Sequence, residues 1–195
     1  MEREFDPLPI LELGAGAGFR RPTLAEAAAR VTPDSPALHV MTDLARVSPA
    51  TIRPQAPLAG ANQFMITRGV RLLLVVDERD IILGLITATD LLGERPMQAA
   101  AERGLRRDEL SVADIMTPAA QIEVVALADV EASRVGHVLE TLRRLGRQHA
   151  LVVDRGNTVR GIFSISQIAR QLGLALPSGG SVARTFSEIE AALAK

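Results

Sequence analysis

Two short polar motifs, 77 residues apart, contain the side chains of this chain best suited to bind a ligand. Thr87-x-x-Asp90 and Ser164-x-x-Gln167 each follow an apolar run and precede a short helical pattern. Backbone N–H groups at the beginning of a helix are unpaired and the helix dipole is positive there, so a phosphate would find donors, including the Thr87 and Thr89 hydroxyls. A carboxylate such as that of Asp90 can accept hydrogen bonds from two hydroxyls at once.

The same motifs are typical of a capping box, which stabilises a helix without any ligand, and residue types alone favour that interpretation. Ser164-x-x-Gln167 is expected to cap as well as Thr87-x-x-Asp90, although its amide is a weaker acceptor than a carboxylate. Ligand recognition would weaken at Gln167, whereas capping would tolerate the change. We therefore expect one good site at Thr87 and Asp90 and a second that is weaker or altered, and capping and binding can coexist.

These motifs belong to a longer internal repeat. At the same offset of 77, Gly69 matches Gly146, Val75-Val76-Asp77 matches Val152-Val153-Asp154, and Gly84 matches Gly161. A single offset without gaps predicts two copies of one folding unit. A unit of roughly 60 residues would be only marginally stable alone, so the two copies are expected to pack together.

Each copy has the same order of patterns: a helix that ends at a glycine, an apolar strand, a polar turn, a second apolar strand and a short final helix. A leading strand is clearest at 51–53. In the first copy the other segments are 57–69, 72–76, 81–86 and the region of 91–92, and in the second they are 135–146, 150–153, 159–165 and the region of 168–169.

The predicted organisation is an N-terminal extension (1–38), a first repeat (39–95), a helical linker (96–111), a second repeat (112–174) and a C-terminal amphipathic helix (175–195). The linker is expected to expose its arginines to solvent as an ordinary charged face. In the C-terminal segment Val182, Phe186, Ile189 and Leu193 recur at helical spacing.

Composition argues against several classes of protein. A formal charge of −1, from 22 basic and 23 acidic side chains, offers no field to attract nucleic acid or an anionic membrane. Five Phe, no Tyr and no Trp leave few platforms for base stacking. No apolar run is long enough to predict a membrane span. The absence of cysteine and of a secretory signal pattern indicates a cytoplasmic protein.

Nothing in the sequence demands catalysis or a metal ion. Gly14 to Gly18 resembles the first glycine motif of S-adenosylmethionine-dependent methyltransferases, but the first repeat follows too soon for that fold, so we interpret it as a flexible turn. His39, His137 and His149 lack metal-ligand spacing and are expected to be structural. His149 is a partial exception, because it falls at the position of Leu72 and could line a second cleft. No catalytic triad can be assigned.

The repeated motifs resemble those of paired cystathionine-β-synthase-type (CBS) domains, which form a Bateman module. The matching stretches cover about residues 39 to 174. In the first copy they are Thr51-Ile52-Arg53-Pro54, Gly69-Val70-Arg71 and Gly84 to Asp90. In the second copy they are Ile115 to Pro118, Leu151 to Asp154 and Gly161 to Gln167. The resemblance implies an α/β (α+β) fold of two β-α-β-β-α repeats packed as a pseudo-twofold pair, commonly as a homodimer.

The resemblance also implies a regulatory ligand: AMP, ADP, ATP or S-adenosylmethionine in a cleft between the repeats. It assigns Asp90 to the ribose, the backbone of Val70 to Leu72 to the adenine and Arg71 to phosphate charge. The expected first site comprises Thr51, Val70, Arg71, Leu72, Thr87, Thr89 and Asp90, and the weaker second site comprises Arg147, Gln148, His149, Ser164, Ser166 and Gln167.

We therefore predict a stand-alone sensor that binds an adenine nucleotide or a related adenosyl ligand and signals by changing shape, without a required cofactor. A regulated partner protein is expected to receive that signal. The alternative is a structural module that only builds a dimer, with the Thr87 segment acting as a helix cap.

Overall fold

The computed structural model describes residues 31–174, 186–189 and 191. The strands are β1 (Thr42–Asp43), β2 (Thr51–Ile52), β3 (Leu72–Val76), β4 (Ile82–Thr87), β5 (Thr117–Pro118), β6 (Val124–Ala126), β7 (His149–Val153) and β8 (Val159–Ser164). The α-helices are α1 (Leu58–Arg68), α2 (Ala88–Leu92), α3 (Arg95–Arg103), α4 (Val112–Ile115), α5 (Leu127–Glu131), α6 (Val135–Leu145) and α7 (Ile165–Gln171).

The strands form two four-stranded mixed sheets, ordered β2-β3-β4-β5 and β1-β8-β7-β6. Their registers repeat at the sequence offset, since Leu72 pairs with Thr87 in one sheet and His149 pairs with Ser164 in the other. Both central hairpins are antiparallel, and both pair in parallel with the strand that precedes their main helix. The predicted pair of α/β repeats is therefore confirmed.

The leading segment of each repeat crosses to the sheet of the other repeat. β1 pairs with β8 of the second repeat, and Ala37 and Val40 just before it are fully buried in the second core. In the reverse direction β5 pairs with β4 of the first repeat, and Val112 and Ile115 of α4 are buried in the first core. This exchange joins the two repeats in one fold, in addition to the contact between their sheets.

Each main helix ends at the glycine that the sequence predicts. Gly69 has φ 64° and Gly146 has φ 61°, the left-handed conformation that glycine adopts without a Cβ penalty. The next residue closes the motif in both cases, because Val70 N–H donates to Met65 O and Arg147 N–H donates to Leu142 O. These caps direct the chain from each helix into its central strand.

Three groups of buried apolar side chains organise the interior. One core lies between the helices and sheet of the first repeat, and another lies in the second repeat. A third joins Leu72, Leu74 and Val76 of β3 to Leu151 of β7, so the sheets contact each other directly. The burial of every residue of β3 confirms that this strand is covered on both faces.

The linker helix α3 is a component of the first core rather than a spacer. Pro96, Ala99 and Ala100 are buried there, while Arg103 remains exposed and forms an ion pair with Asp114. The charged face is solvated as predicted, but periodicity alone did not reveal that the small residues on the opposite face would be buried, where the helix contacts α2 and α4. The linker therefore holds α4, the start of the second repeat, against the first.

The C-terminal prediction is supported where the chain is described. Residues 186–189 are helical, and Phe186 and Ile189 are buried in the second core. Val182, Leu193 and the turn expected at Gly14 to Gly18 lie outside the described residues. None of the described helices has both the length and the apolar character needed to cross a membrane.

The exchanged strands can be tested with two equivalent glycines. A Cβ at Gly84 would collide with the backbone carbonyl of Thr117 in β5, whereas a Cβ at Gly161 would meet mainly the flexible side chain of Met41. We expect Gly84→Ala to lower the free energy of unfolding by roughly 1–3 kcal/mol and Gly161→Ala to lower it less. Urea unfolding measures both, and an equal or larger loss at Gly161 would contradict the prediction.

Candidate functional site

Two clefts lie between the repeats, and each is built from both of them. The Asp90 cleft contains Thr87, Thr89 and Asp90 from the first repeat and Arg147 to His149 from the second. The Arg71 cleft contains Val70 to Leu72 from the first repeat, together with Ser164, Ser166, Gln167 and Arg170 from the second. The two clefts are built alike. In each, the start of the short final helix of one repeat faces the loop that leads from the main helix into the central strand of the other repeat.

The residues that the sequence predicts to form one site are distributed between the two clefts. Val70, Arg71 and Leu72 do not share a cleft with Asp90, and Thr51 lies exposed in β2, where its neighbour Ala50 lines the Arg71 cleft instead. The reason is the face-to-face packing of the two sheets, which places the segment before β3 opposite the segment after β8. Spacing within one repeat carries no information about this pairing.

The second predicted set is divided in the same way. Arg147 and Gln148 line the Asp90 cleft, whereas Ser164, Ser166 and Gln167 line the Arg71 cleft. Both clefts also contain residues that the repeat comparison missed, because they lie on or near the exchanged leading segments. These are Thr117, Gln121 and Glu123 in the Asp90 cleft and Thr42, Ser48 and Ala50 in the Arg71 cleft.

Asp90 forms the capping box that the residue types favour. Its Oδ2 accepts hydrogen bonds from Thr87 N at 2.8 Å and Thr87 Oγ1 at 2.7 Å. Its Oδ1 accepts from Arg95 at 2.6 Å, and the same guanidinium donates to Thr117 Oγ1 at 3.3 Å. Although the side chain is only 15% exposed, Oδ1 faces an exposed partner that a ligand hydroxyl could replace.

Another capping box, at Ser111 and Asp114, shows what capping alone looks like. Asp114 Oδ2 accepts from Ser111 N at 2.7 Å and Ser111 Oγ at 2.8 Å, and its Oδ1 is paired with Arg103. The backbone hydrogen bond from Ser111, followed by the hydroxyl and the Arg103 charge, lowers the pKa of Asp114 despite opposing burial. This box lines neither cleft, so location rather than the box itself distinguishes Asp90.

The second motif does not form the cap that we expected. Ser164 makes no capping hydrogen bond, and its Oγ instead lies 3.0 Å from Ser166 Oγ. The Gln167 amide oxygen accepts from Thr42 Oγ1 at 2.9 Å. The expectation that this motif caps equally well is wrong, because the exchanged strand β1 supplies another partner for Gln167.

His149 is the first residue of β7 and lines both clefts. Its Nδ1 is buried without a hydrogen-bond partner among the described residues. Burial lowers the pKa of His149 to about 4, with a further decrease from Arg71 and an opposing effect of Asp90. The imidazole is therefore neutral at pH 7 and forms an uncharged wall between the clefts.

The clefts have the polar lining of binding sites but no evident reaction centre. Within the described residues, no three His, Cys, Asp or Glu side chains are grouped as they would be around a metal ion. The cavity volumes are about 130 Å³ for the Asp90 cleft and about 360 Å³ for the Arg71 cleft. Small-molecule sites typically measure about 300–1,000 Å³, so the Asp90 cleft must widen to enclose a whole nucleotide.

The structure is thus a tandem pair of mixed α/β repeats with exchanged leading segments and composite clefts. The family model of the CBS domain matches residues 37–96 and again residues 112–173, more than half of the chain. The chain belongs to the CBS-domain family. A comparison with curated proteins finds no match.

Solved structures show the same fold at low identity. An uncharacterized conserved protein from Pyrococcus horikoshii has a TM-score of 0.56 and 20% identity, over 76% of this chain and 100% of its own. A CBS domain pair in complex with 5′-methylthioadenosine and S-adenosyl-L-methionine has a TM-score of 0.52 and 22% identity, over 72% and 98%. CBSX2 from Arabidopsis thaliana in complex with AMP has a TM-score of 0.50 and 20% identity, over 70% and 94%.

The neutral state of His149 has a measurable consequence. Between pH 6.5 and about 4 the unfolded chain binds a proton at His149 that the folded chain does not, so acidification across this window destabilises the fold, while above pH 6.5 the effect is absent. We expect His149→Leu, which copies Leu72, to reduce this loss by on the order of 1–3 kcal/mol. Denaturant unfolding of the unchanged chain and the variant at pH 7 and pH 4.5 measures this loss of stability. An equal loss in both proteins would refute the prediction.

Proposed function

We propose that this CBS pair is a regulatory module, not an enzyme, and that it binds an adenosyl ligand between its repeats. The observation that carries the proposal is the composite construction of the clefts, in which polar groups of both repeats face one space. Related structures bound to AMP, or to 5′-methylthioadenosine and S-adenosyl-L-methionine, support this choice of ligand. The absence of cysteine fits a place in the reducing cytoplasm.

In the Asp90 cleft the ribose is the group that the geometry suits best. Asp90 Oδ2 remains with Thr87 as a helix cap, while Oδ1 exchanges its bond with Arg95 for a ribose hydroxyl. Gln148 lies across the cleft, where it meets Thr89 Oγ1 at 3.2 Å, and offers a second polar contact. Capping and ligand binding thus use different oxygens of one carboxylate.

Displacement of Arg95 gives the module a way to signal. Arg95 is the first residue of α3, and it joins α3 to Asp90 and to Thr117 of the exchanged strand β5. A ligand that takes its place on Asp90 frees this end of α3 and favours another position of the helix. The ligand shifts the equilibrium only by its difference in affinity for the two positions. A partner protein that contacts α3 would respond to the change.

A thermal-shift panel of AMP, ADP, ATP and S-adenosylmethionine tests the proposal. A ligand at about 100 times its dissociation constant adds about 2.7 kcal/mol to the stability of the folded state. We expect at least one member to raise the melting temperature, and no shift from any of them would count against the function.

The Asp90 cleft is tested by a matched pair of variants read with S-adenosylmethionine. Asp90→Asn keeps a capping oxygen but loses the carboxylate and the ion pair with Arg95, so we expect the ligand-induced shift to disappear. Asp114→Asn makes the same change in a box outside the clefts and should retain the shift. A ligand-induced shift of the same size in both variants would exclude Asp90 from the site.

The alternative is a structural module that only forms a homodimer. Leu92 at the end of α2 is 67% exposed and borders a groove with Pro57, just before α1, and with Ala59 and Asn62 of α1, a surface suited to a second copy. Light scattering with and without the ligand panel separates the two functions. A dimer that no adenosyl ligand stabilises would favour the structural role.

A further inference from the structure

The charged groups of the Arg71 cleft all have the same sign. Arg71 and Arg170 line it, no carboxylate does, and neither guanidinium has an ion-pair partner among the described residues. Hydroxyl groups of Ser48, Ser164 and Ser166 lie on the same surface. Guanidinium groups present several donors in a planar fork that matches phosphate oxygens. This cleft therefore suits an anion with several oxygens.

The Asp90 cleft has the opposite balance. Asp90 and Glu123 line it, and Arg147 is the one cation among the described residues that line it. Once a ligand takes the place of Arg95 on Asp90, a di- or triphosphate would lie beside two carboxylates and be repelled, whereas an uncharged nucleoside or a cationic sulfonium would not. The two clefts are thus distinguished by charge as well as by volume.

His149 lines both clefts without adding a charge to either. It contacts both clefts, yet it carries no charge at neutral pH and so does not offset the difference between them. Its buried Nδ1 has no partner within the described part of the chain, and a group of a bound ligand could satisfy it. The equivalent position of the first repeat, Leu72, is apolar.

We propose that the clefts divide adenosyl ligands by charge: the Arg71 cleft takes a nucleoside di- or triphosphate, and the Asp90 cleft takes the uncharged or cationic forms. This inference rests on the proposed function and makes it more specific. The larger cavity, about 360 Å³, is also the one that accommodates the larger ligand. Under this assignment the cleft that contains Gln167 has its own ligand and is not a weaker version of the Asp90 site.

Isothermal titration calorimetry with ATP, S-adenosylmethionine and sodium tripolyphosphate tests the division. In the double variant Arg71→Gln/Arg170→Gln we expect the dissociation constant of ATP to rise about tenfold or more, the change that corresponds to the loss of a single charged hydrogen bond of about 1.5 kcal/mol. S-adenosylmethionine should bind the variant as it binds the unchanged chain. Arg71 and Arg170 are both exposed, as is Arg147, which serves as the control, so the folded state should tolerate these substitutions.

Arg147→Gln is the control, because it removes one positive charge from the other cleft. We expect it to change the dissociation constant of ATP by less than about threefold, the effect of a distant charge. The affinity for ATP should also fall steeply with salt, whereas that for S-adenosylmethionine should not. Tripolyphosphate should compete with ATP and leave S-adenosylmethionine bound.

Two results would overturn the inference while the proposed function survives. One is ATP binding that Arg147→Gln weakens at least as much as the double variant does. The other is binding of S-adenosylmethionine by a chain that does not bind ATP. If neither compound binds the unchanged chain, this inference fails, and if AMP and ADP do not bind it either, the proposed function fails as well.

Discussion

The exchange of leading strands is the constraint on which both clefts depend. β1 leaves the first repeat to pair with β8, and β5 leaves the second to pair with β4, so neither sheet is complete without the other half of the chain. The same segments bring Thr42 to Gln167 and Thr117 to Arg95. The segments that complete the two sheets therefore also line the two clefts.

Sequence reasoning succeeded where the controlling interactions are local. Gly69 and Gly146 end their helices because a left-handed residue is needed there, and the offset of 77 is preserved in the strand registers. It failed where distant segments meet. Neither the composite clefts nor the bond from Thr42 that removes Gln167 from its capping role follows from spacing within a repeat. A repeat pattern establishes similarity of fold but not which copies face each other.

Equivalent positions have acquired different chemistry within this shared frame. Leu72 is buried and apolar, while its counterpart His149 lies between the clefts with an unpartnered Nδ1. Asp90 keeps a capping box, while Gln167 is held by a neighbouring strand. The two clefts therefore differ in side-chain chemistry although the two repeats share one fold.

Hydrogen-exchange mass spectrometry of the full chain at saturating ATP tests most directly whether both repeats form the Arg71 cleft. The account predicts that backbone amides at 69–72 and at 164–170, which belong to different repeats but line one cleft, become protected together. Protection confined to one of these segments, or absent from both while ATP is bound, would contradict the composite cleft.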